Sequence, residues 1–316
     1  MMQFFRDASV SDNWLRALRI GTGAFLALGM LALWPDLPML YGRDGLVPLD
    51  LLAVQRGGVG FTVHDWAAYM ERTVGSSYDC GLWLLAAAYI LLACLLACHW
   101  RIRWVAGVLL VLHAGWFTIQ PNWSYGYDYL AASALFYCLV FPVARASDAG
   151  GTVYIPFLRI LQLHLCIIYF FGGLGKLLGP SWRNGEAIWK ALSQPYHVEQ
   201  HDWLQIASAY PAIFVLAGWV VVVLELLYPI AIWVPGIRTW WMWAVVAMHL
   251  GIALLMGLYL FSAWMILLNL VAFYYPYAYI IHGKSRPMNT APPVPILPSK
   301  PGSRDWRDTR KGGITY

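Results

Sequence analysis

Tyr169 to Lys190 read YFFGGLGKLLGPSWRNGEAIWK and close an apolar run that begins near Ile155 and is long enough to cross a membrane. Lys176 sits inside that run, preceded by Gly172 and Gly173, flanked by Gly175 and followed by Trp182 and Gly185. A cation in such a segment costs roughly 2.5–3.5 kcal/mol on insertion scales, which makes it a functional hypothesis by default. The rest of the chain reads as the scaffold that brings this lysine to one face of a membrane.

Composition agrees. Of 316 residues, 60% are hydrophobic and 12% charged, against about 25% charged in a soluble domain, and the mean hydropathy is +0.58. The apolar residues fall in long runs rather than short alternating strands, so the fold class is all-α, a polytopic bundle of transmembrane helices and not a barrel. The 18 Trp and 19 Tyr suit interfacial belts. The first dozen residues are polar and no small-residue cleavage site follows, so no cleavable signal peptide is expected. The net charge of +5 lies in loops and tail, which points away from nucleic acid.

Eight spans are expected, at about 14–34, 81–99, 104–119, 129–143, 155–178, 212–234, 240–256 and 258–273. Between the first two, Thr62-Val63-His64-Asp65 resembles a helix N-cap box opening a short interfacial helix. A second polar segment, 179–211, holds His197, His201 and Trp203. Residues 1–281 form the helical domain; 282–316, rich in Pro and basic residues, read as a disordered tail. With the N-terminus inside, Arg6, Arg16, Arg19, Arg101, Arg103, Arg145, Arg159, Arg238 and the tail are cytoplasmic, whereas Arg43, Arg56, Arg72, Arg183 and Lys190 are outside. That asymmetry follows the positive-inside rule, with both termini cytoplasmic and both long polar segments outside.

Depth can be estimated from a rise of ~1.5 Å per residue. Lys176 comes near the outer end of span five, Asp128 opens span four on the same side, and His113 lies in the outer half of span three. These three are candidates to line one outward-facing cavity. Glu225 and His249, near mid-depth in spans six and seven, are a candidate buried pair, and His164 is near mid-depth in span five. Each has an ordinary reading as well. Lys176 is near enough to a helix end to snorkel, Asp128 is placed to cap span four, and His113, His164, Glu225 and His249 suit interior hydrogen bonds between helices. Gly172 and Gly173 admit either a neighbouring helix or a flat ligand. No metal site is expected: His197 and His201 lack a third ligand, and Cys94 and Cys98 read as small apolar filler.

The stretch carrying Tyr169, Gly172, Gly173, Lys176, Leu177, Trp182 and Gly185 looks like the signature of the vitamin K-dependent γ-glutamyl carboxylase family, whose membrane part is the HTTM (horizontally transferred transmembrane) domain. Weaker likenesses are Arg19-Ile20 followed by Asp44-Gly45-Leu46-Val47-Pro48, the run Gly126-Tyr127-Asp128-Tyr129-Leu130, and His249-Leu250-Gly251 leading to Phe261 and Met265. The resemblance covers about residues 10–280. It implies that Lys176 matches a lysine that deprotonates vitamin K hydroquinone. Oxygen addition then yields a strong alkoxide base, which removes the γ-proton of a peptide glutamate, and CO2 traps the carbanion. A carbon-bound proton is too weak an acid for ordinary side-chain bases, so quinol oxidation has to generate the base. The chain departs from the family in three ways. Gly175 stands where the first of two successive lysines would be. The catalytic-site histidine expected before span four is replaced by Tyr127 or is absent. A short basic tail follows span eight in place of a large lumenal portion. These departures point away from peptide carboxylation and leave quinol-coupled chemistry.

The expected function is therefore a membrane enzyme acting at the extracytoplasmic face. Its cofactor is a reduced quinone, with O2 and CO2 as possible co-substrates. Lys176 is the expected base, oriented by Asp128 or His113, with Trp182, Gly172, Gly173 and Tyr127 around the quinol and Glu225 with His249 as a supporting pair. A peptide substrate or a separate extracytoplasmic subunit would be its partner. The alternative is a non-enzymatic membrane protein that aids peptide maturation or export, or binds a lipid or quinone.

Overall fold

A computed structural model of the chain describes residues 13–55, 60–118, 124–143, 155–194 and 208–276. Arg6, Arg56, Arg145, His197, His201, Trp203 and the basic tail lie outside the described residues. Among the described residues all regular structure is helical. The order is α1 (Asn13–Leu33), a short 3-10 turn, α2 (Leu37–Tyr41), α3 (Leu49–Gln55), α4 (Val63–Val74), α5 (Tyr78–Ala97), α6 (Ile102–His113), α7 (Gly126–Val140), α8 (Ile155–Leu178), α9 (Pro180–Arg183), α10 (Glu186–Leu192), α11 (Pro211–Ala231), α12 (Pro235–Met256) and α13 (Tyr259–Asn269). Both α6 and α13 end in a π-turn, Ala114–Thr118 and Leu270–Tyr274.

Each of the eight expected spans is occupied by a helix. Five stretches are long and apolar enough to cross a membrane: Asn13–Tyr41, Tyr78–Ala97, Ile155–Leu178, Pro211–Ala231 and Pro235–Met256. They mark a multi-pass membrane protein. The expected third and eighth spans correspond to shorter apolar helices, Ile102–Phe117 and Tyr259–Tyr274. The fourth, α7, has 15 residues, about 22 Å of helix against a hydrocarbon core of about 30 Å.

The outer surface is aliphatic and aromatic. Leu28, Leu31, Leu91, Phe171, Leu216, Trp240 and Leu254 are all more than half exposed, a surface suited to lipid rather than water. The interior packs large apolar side chains such as Trp14, Trp116 and Trp264 together with small and polar residues. Gly23 on α1 lies against α5 so closely that a Cβ there would sit 2.4 Å from the Ala93 carbonyl oxygen. Small residues of this kind let membrane helices pack by contact where no hydrophobic gain separates lipid from protein. Arg19, buried near the start of α1, donates from Nη2 to the Pro142 carbonyl at 2.8 Å, just past the end of α7. Gln162 on α8 donates from Nε2 to the Ala272 carbonyl at 2.7 Å, a carbonyl of the π-turn where the regular ladder is broken. On α4, Asp65 accepts from the Thr62 backbone N–H at 2.9 Å, and the Asp65 N–H reaches Thr62 Oγ1 at 3.4 Å. The capping box read at Thr62 therefore forms, and α4 docks on α5 through Trp66 Nε1 and the Gly81 carbonyl at 3.1 Å.

Candidate functional site

Tyr169, Gly172 and Lys176 are spaced i, i+3 and i+7 along α8, which puts them on one face. Gly173, one position round, faces α11, where a Cβ would meet the Leu226 backbone nitrogen at 2.6 Å. The contact between the two backbones brings Lys176 Nζ to 2.6 Å from Glu225 Oε2. Both side chains are mostly enclosed, 22% and 10% exposed respectively. Of the two roles open to the paired glycines, Gly173 serves the helix contact. Gly172 forms wall, its missing Cβ lying 3.2 Å from Glu225 Oε2 and 3.6 Å from Lys176 Nζ.

Helix α8 stops at Leu178, where Gly179 and Pro180 turn the chain into α9. The α9–α10 segment then lies against the first turns of α11. It fits because two residues have no side chain. A Cβ on Gly218 would stand 2.3 Å from the Trp182 carbonyl oxygen, and one on Gly185, at φ +84°, 2.6 Å from the Val215 nitrogen. This holds the Trp182 ring with its centroid 5.1 Å from Lys176 Nζ, a cation–π contact.

A cavity of about 530 Å³ opens beside the pair. Its walls come from α7 to α13 and are mainly apolar, with Lys176, Glu225, His249, Tyr169, His164 and Ser133 among the polar groups. Apolar space with a few converging polar atoms, at this volume, is the usual form of a small-molecule site. At the far side from Trp182, His249 Nε2 lies 2.9 Å from the Tyr169 hydroxyl. Asn269 Nδ2 donates to that hydroxyl at 2.7 Å and to the Met265 carbonyl at 2.8 Å, and Asn269 Oδ1 accepts from the Tyr228 hydroxyl at 2.7 Å. Tyr169 and Tyr228 stack, ring centroids 4.1 Å apart.

The remaining expected site residues fall elsewhere. His113 is fully buried between the Tyr89 hydroxyl (2.9 Å to Nδ1) and the Asp128 backbone carbonyl (3.0 Å to Nε2). The Asp128 carboxylate accepts the Tyr125 N–H at 2.9 Å and so caps α7. Tyr127 donates to the Phe25 carbonyl at 3.2 Å and packs edge-on against Trp264. None of the three lines the cavity. Sharing a depth did not bring them to Lys176, because α7 turns this edge toward α1 and α6. Glu225 and His249 line one chamber but bond to different partners, Lys176 and Tyr169. His164 lines the cavity and pairs with the Tyr137 hydroxyl. Asn269 and Tyr228 escaped the sequence reading, although an amide in an apolar run was a usable signal. Among the described residues no group of three His, Cys, Asp or Glu is arranged to hold a metal.

No protein-family model, curated protein or solved structure matches this chain. The resemblance to the carboxylase family rests on the Lys176–Trp182–Gly185 motif and its weaker companions.

Proposed function

We propose that this chain is a carboxylase-like membrane enzyme of the HTTM kind, with eight spans, in which the Lys176–Glu225 pair takes a proton from a quinol held in the cavity. The observation that carries this reading is the placement of that pair, under an indole, on the wall of a mainly apolar chamber of about 530 Å³. A quinol hydroxyl is a phenol-like acid, so its proton is of the kind a positioned side-chain base can take. Pairing sets a condition. An ammonium already held by a carboxylate accepts no proton. Either Glu225 takes the hydroxyl proton while Lys176 steadies the oxyanion, or Glu225 is protonated and Lys176 is the neutral base. In both cases the pair removes one proton and Trp182 keeps water away. Bound quinol would supply the electrons for reaction with oxygen, and the site would face the extracytoplasmic side.

The test is oxygen-dependent quinol oxidation by the purified full chain in nanodiscs. Lys176→Ala should abolish it while the protein remains folded, and undiminished turnover rejects the assignment; Glu225→Gln should abolish it where the carboxylate is the base and spare it where Lys176 is. The ion pair also favours a second reading, a non-enzymatic quinone- or lipid-binding protein, in which Lys176 stays an ammonium and anchors a ligand oxygen. That reading predicts quinone binding with no turnover in the unaltered chain.

A further inference from the structure

One end of the bundle collects arginines. Arg19 on α1 reaches the Pro142 carbonyl at the close of α7, Gln162 on α8 reaches Ala272 past the close of α13, and the Arg159 guanidinium lies 5.4 Å from the Trp233 ring centroid, just past α11. The α5–α6 turn belongs to the same end. Burial, and then the charges of Arg19 and Arg16, hold the His99 imidazole below its usual range. Arg16, Arg19, Arg101, Arg103, Arg159 and Arg238 all lie here, and among the described residues no Asp or Glu does. The corner between α1 and the α5–α6 turn stands out. Arg16, Arg101 and Arg103 are exposed there and, among the described residues, have no hydrogen-bonded or ion-pair partner. The turn itself puts His99 at φ +61° and Arg101 at φ +43°, left-handed conformations that glycine adopts at less cost. His99 follows the end of α5, where the Trp100 N–H bonds back to the Leu95 carbonyl at 3.0 Å, a position that glycine usually fills. Side chains kept where glycine would suit the backbone better point to a use for those side chains.

Trp100 and Trp104 flank these arginines, 55% and 78% exposed, as tryptophans do at the depth of lipid headgroups. An apolar groove of about 590 Å³ runs between α1 and α5, lined by Leu31, Trp34, Ala87, Ile90, Leu91 and Cys94 among others. Cys94 is exposed one helical turn from Cys98, which is exposed where α5 ends. The α5 wall of the groove, from Cys94 to Ala87, stands about 8–18 Å along the axis from His99, where the acyl chains of the nearer leaflet lie in a core of about 30 Å. Arginine meets phosphate oxygens through a planar fork of N–H donors. We propose that this corner binds an anionic phospholipid, its phosphate held by Arg16, Arg101 and Arg103 and one acyl chain laid in the α1–α5 groove. A lipid fits better than a soluble phosphate because the tryptophans and the groove continue the site into the hydrocarbon. The site is separate from the cavity at Lys176 and does not depend on the quinol reading.

The experiment titrates phosphatidylglycerol and phosphatidylcholine, matched in acyl chains, into the delipidated full chain in detergent and reads bound lipid by native mass spectrometry. The unaltered chain should prefer phosphatidylglycerol. Arg101→Gln combined with Arg103→Gln should weaken phosphatidylglycerol roughly thirtyfold, the attraction of two basic residues to an anionic headgroup, and leave phosphatidylcholine unchanged. Cys94→Trp, which fills the groove and removes no charge, should weaken phosphatidylglycerol as well. All three positions are exposed, so melting in detergent should be unshifted. Equal binding of the two lipids by the unaltered chain, or undiminished phosphatidylglycerol binding in either variant, overturns the inference. Free glycerol phosphate, which has the phosphate and no chains, should not compete. Competition at the concentration of the lipid would make the ligand a soluble phosphate ester and overturn the lipid assignment. Should the turn variants melt early, Arg16→Gln on the other helix decides: a loss of about fivefold supports the site, and no loss overturns it.

Discussion

Gly173 and Leu226 meet backbone to backbone, with room for no Cβ between them, and the ion pair between Lys176 and Glu225 lies beside this contact. The closeness of α8 and α11 therefore sets the geometry of the pair. A glycine series should read this out. Gly173→Ala forces backbone to move and should lower the melting temperature and abolish quinol turnover together. Gly172→Ala meets the Glu225 carboxylate at 3.2 Å and the Lys176 amine at 3.6 Å, so it should disturb turnover more than stability. Gly175→Ala has nothing within 4 Å and should be silent in both thermal denaturation and turnover.

The pair itself should be strongly non-additive. Removing one member leaves a charge in a mostly dry chamber, a cost of about 3–5 kcal/mol for buried pairs, and Lys176, with 22% of its side chain exposed, places this case at the lower end. Lys176→Met and Glu225→Leu made singly should each destabilise the protein. Made together they should recover most of the loss, as a double-mutant cycle on melting in detergent would show. Additive losses would mean that the pair carries little energy. Turnover should vanish in Lys176→Met and in the double variant.

Most of the fold was legible because apolar length is a long-range signal. Each expected span became a helix, and Thr62 and Asp65 formed the capping box their spacing announced. The site was legible in one dimension only. The motif tied Tyr169, Gly172, Lys176 and Trp182 together along the chain. Partner choice was not legible, because depth along a helix says nothing of azimuth. Asp128 and Lys176 shared an expected depth, yet Asp128 turns inward to its own helix start. Glu225, expected beside His249, instead crosses to Lys176, since the register between α8 and α11 is set by glycine contacts that have no sequence period. Asn269 was missed because one amide in an apolar run reads as tolerated until its three partners are seen.

Those three partners make Asn269 a test of the chain behind His249. Asn269→Leu keeps the branching at Cγ but leaves the Tyr228 hydroxyl without its acceptor and deprives Tyr169 of its donor. Each buried group left unpaired costs about 1–3 kcal/mol, so the variant should melt well below the unaltered protein. Asn269→Asp, which restores an acceptor for Tyr228 but no donor for the Met265 carbonyl, should fall between the two. Equal melting of all three would show that the chain contributes little to stability.

Trp182 reaches Lys176 only because Gly218 lets the α9–α10 segment lie against α11, the Trp182 carbonyl occupying the space a Cβ would fill. Gly218→Leu should therefore lift that segment and withdraw the indole, without touching the contact at Gly173 that holds the ion pair. Two consequences separate this from general unfolding. Fluorescence of Trp182, isolated by subtracting the spectrum of Trp182→Phe, should shift red as the indole gains water. Menadione should also bind more weakly in Gly218→Leu than in the unaltered chain, by a factor close to that seen in Trp182→Ala, because both variants unroof the same end of the cavity. If Gly218→Leu leaves the Trp182 emission unmoved, the indole does not owe its position to the Gly218 contact, and closure of the site must come from α10 alone.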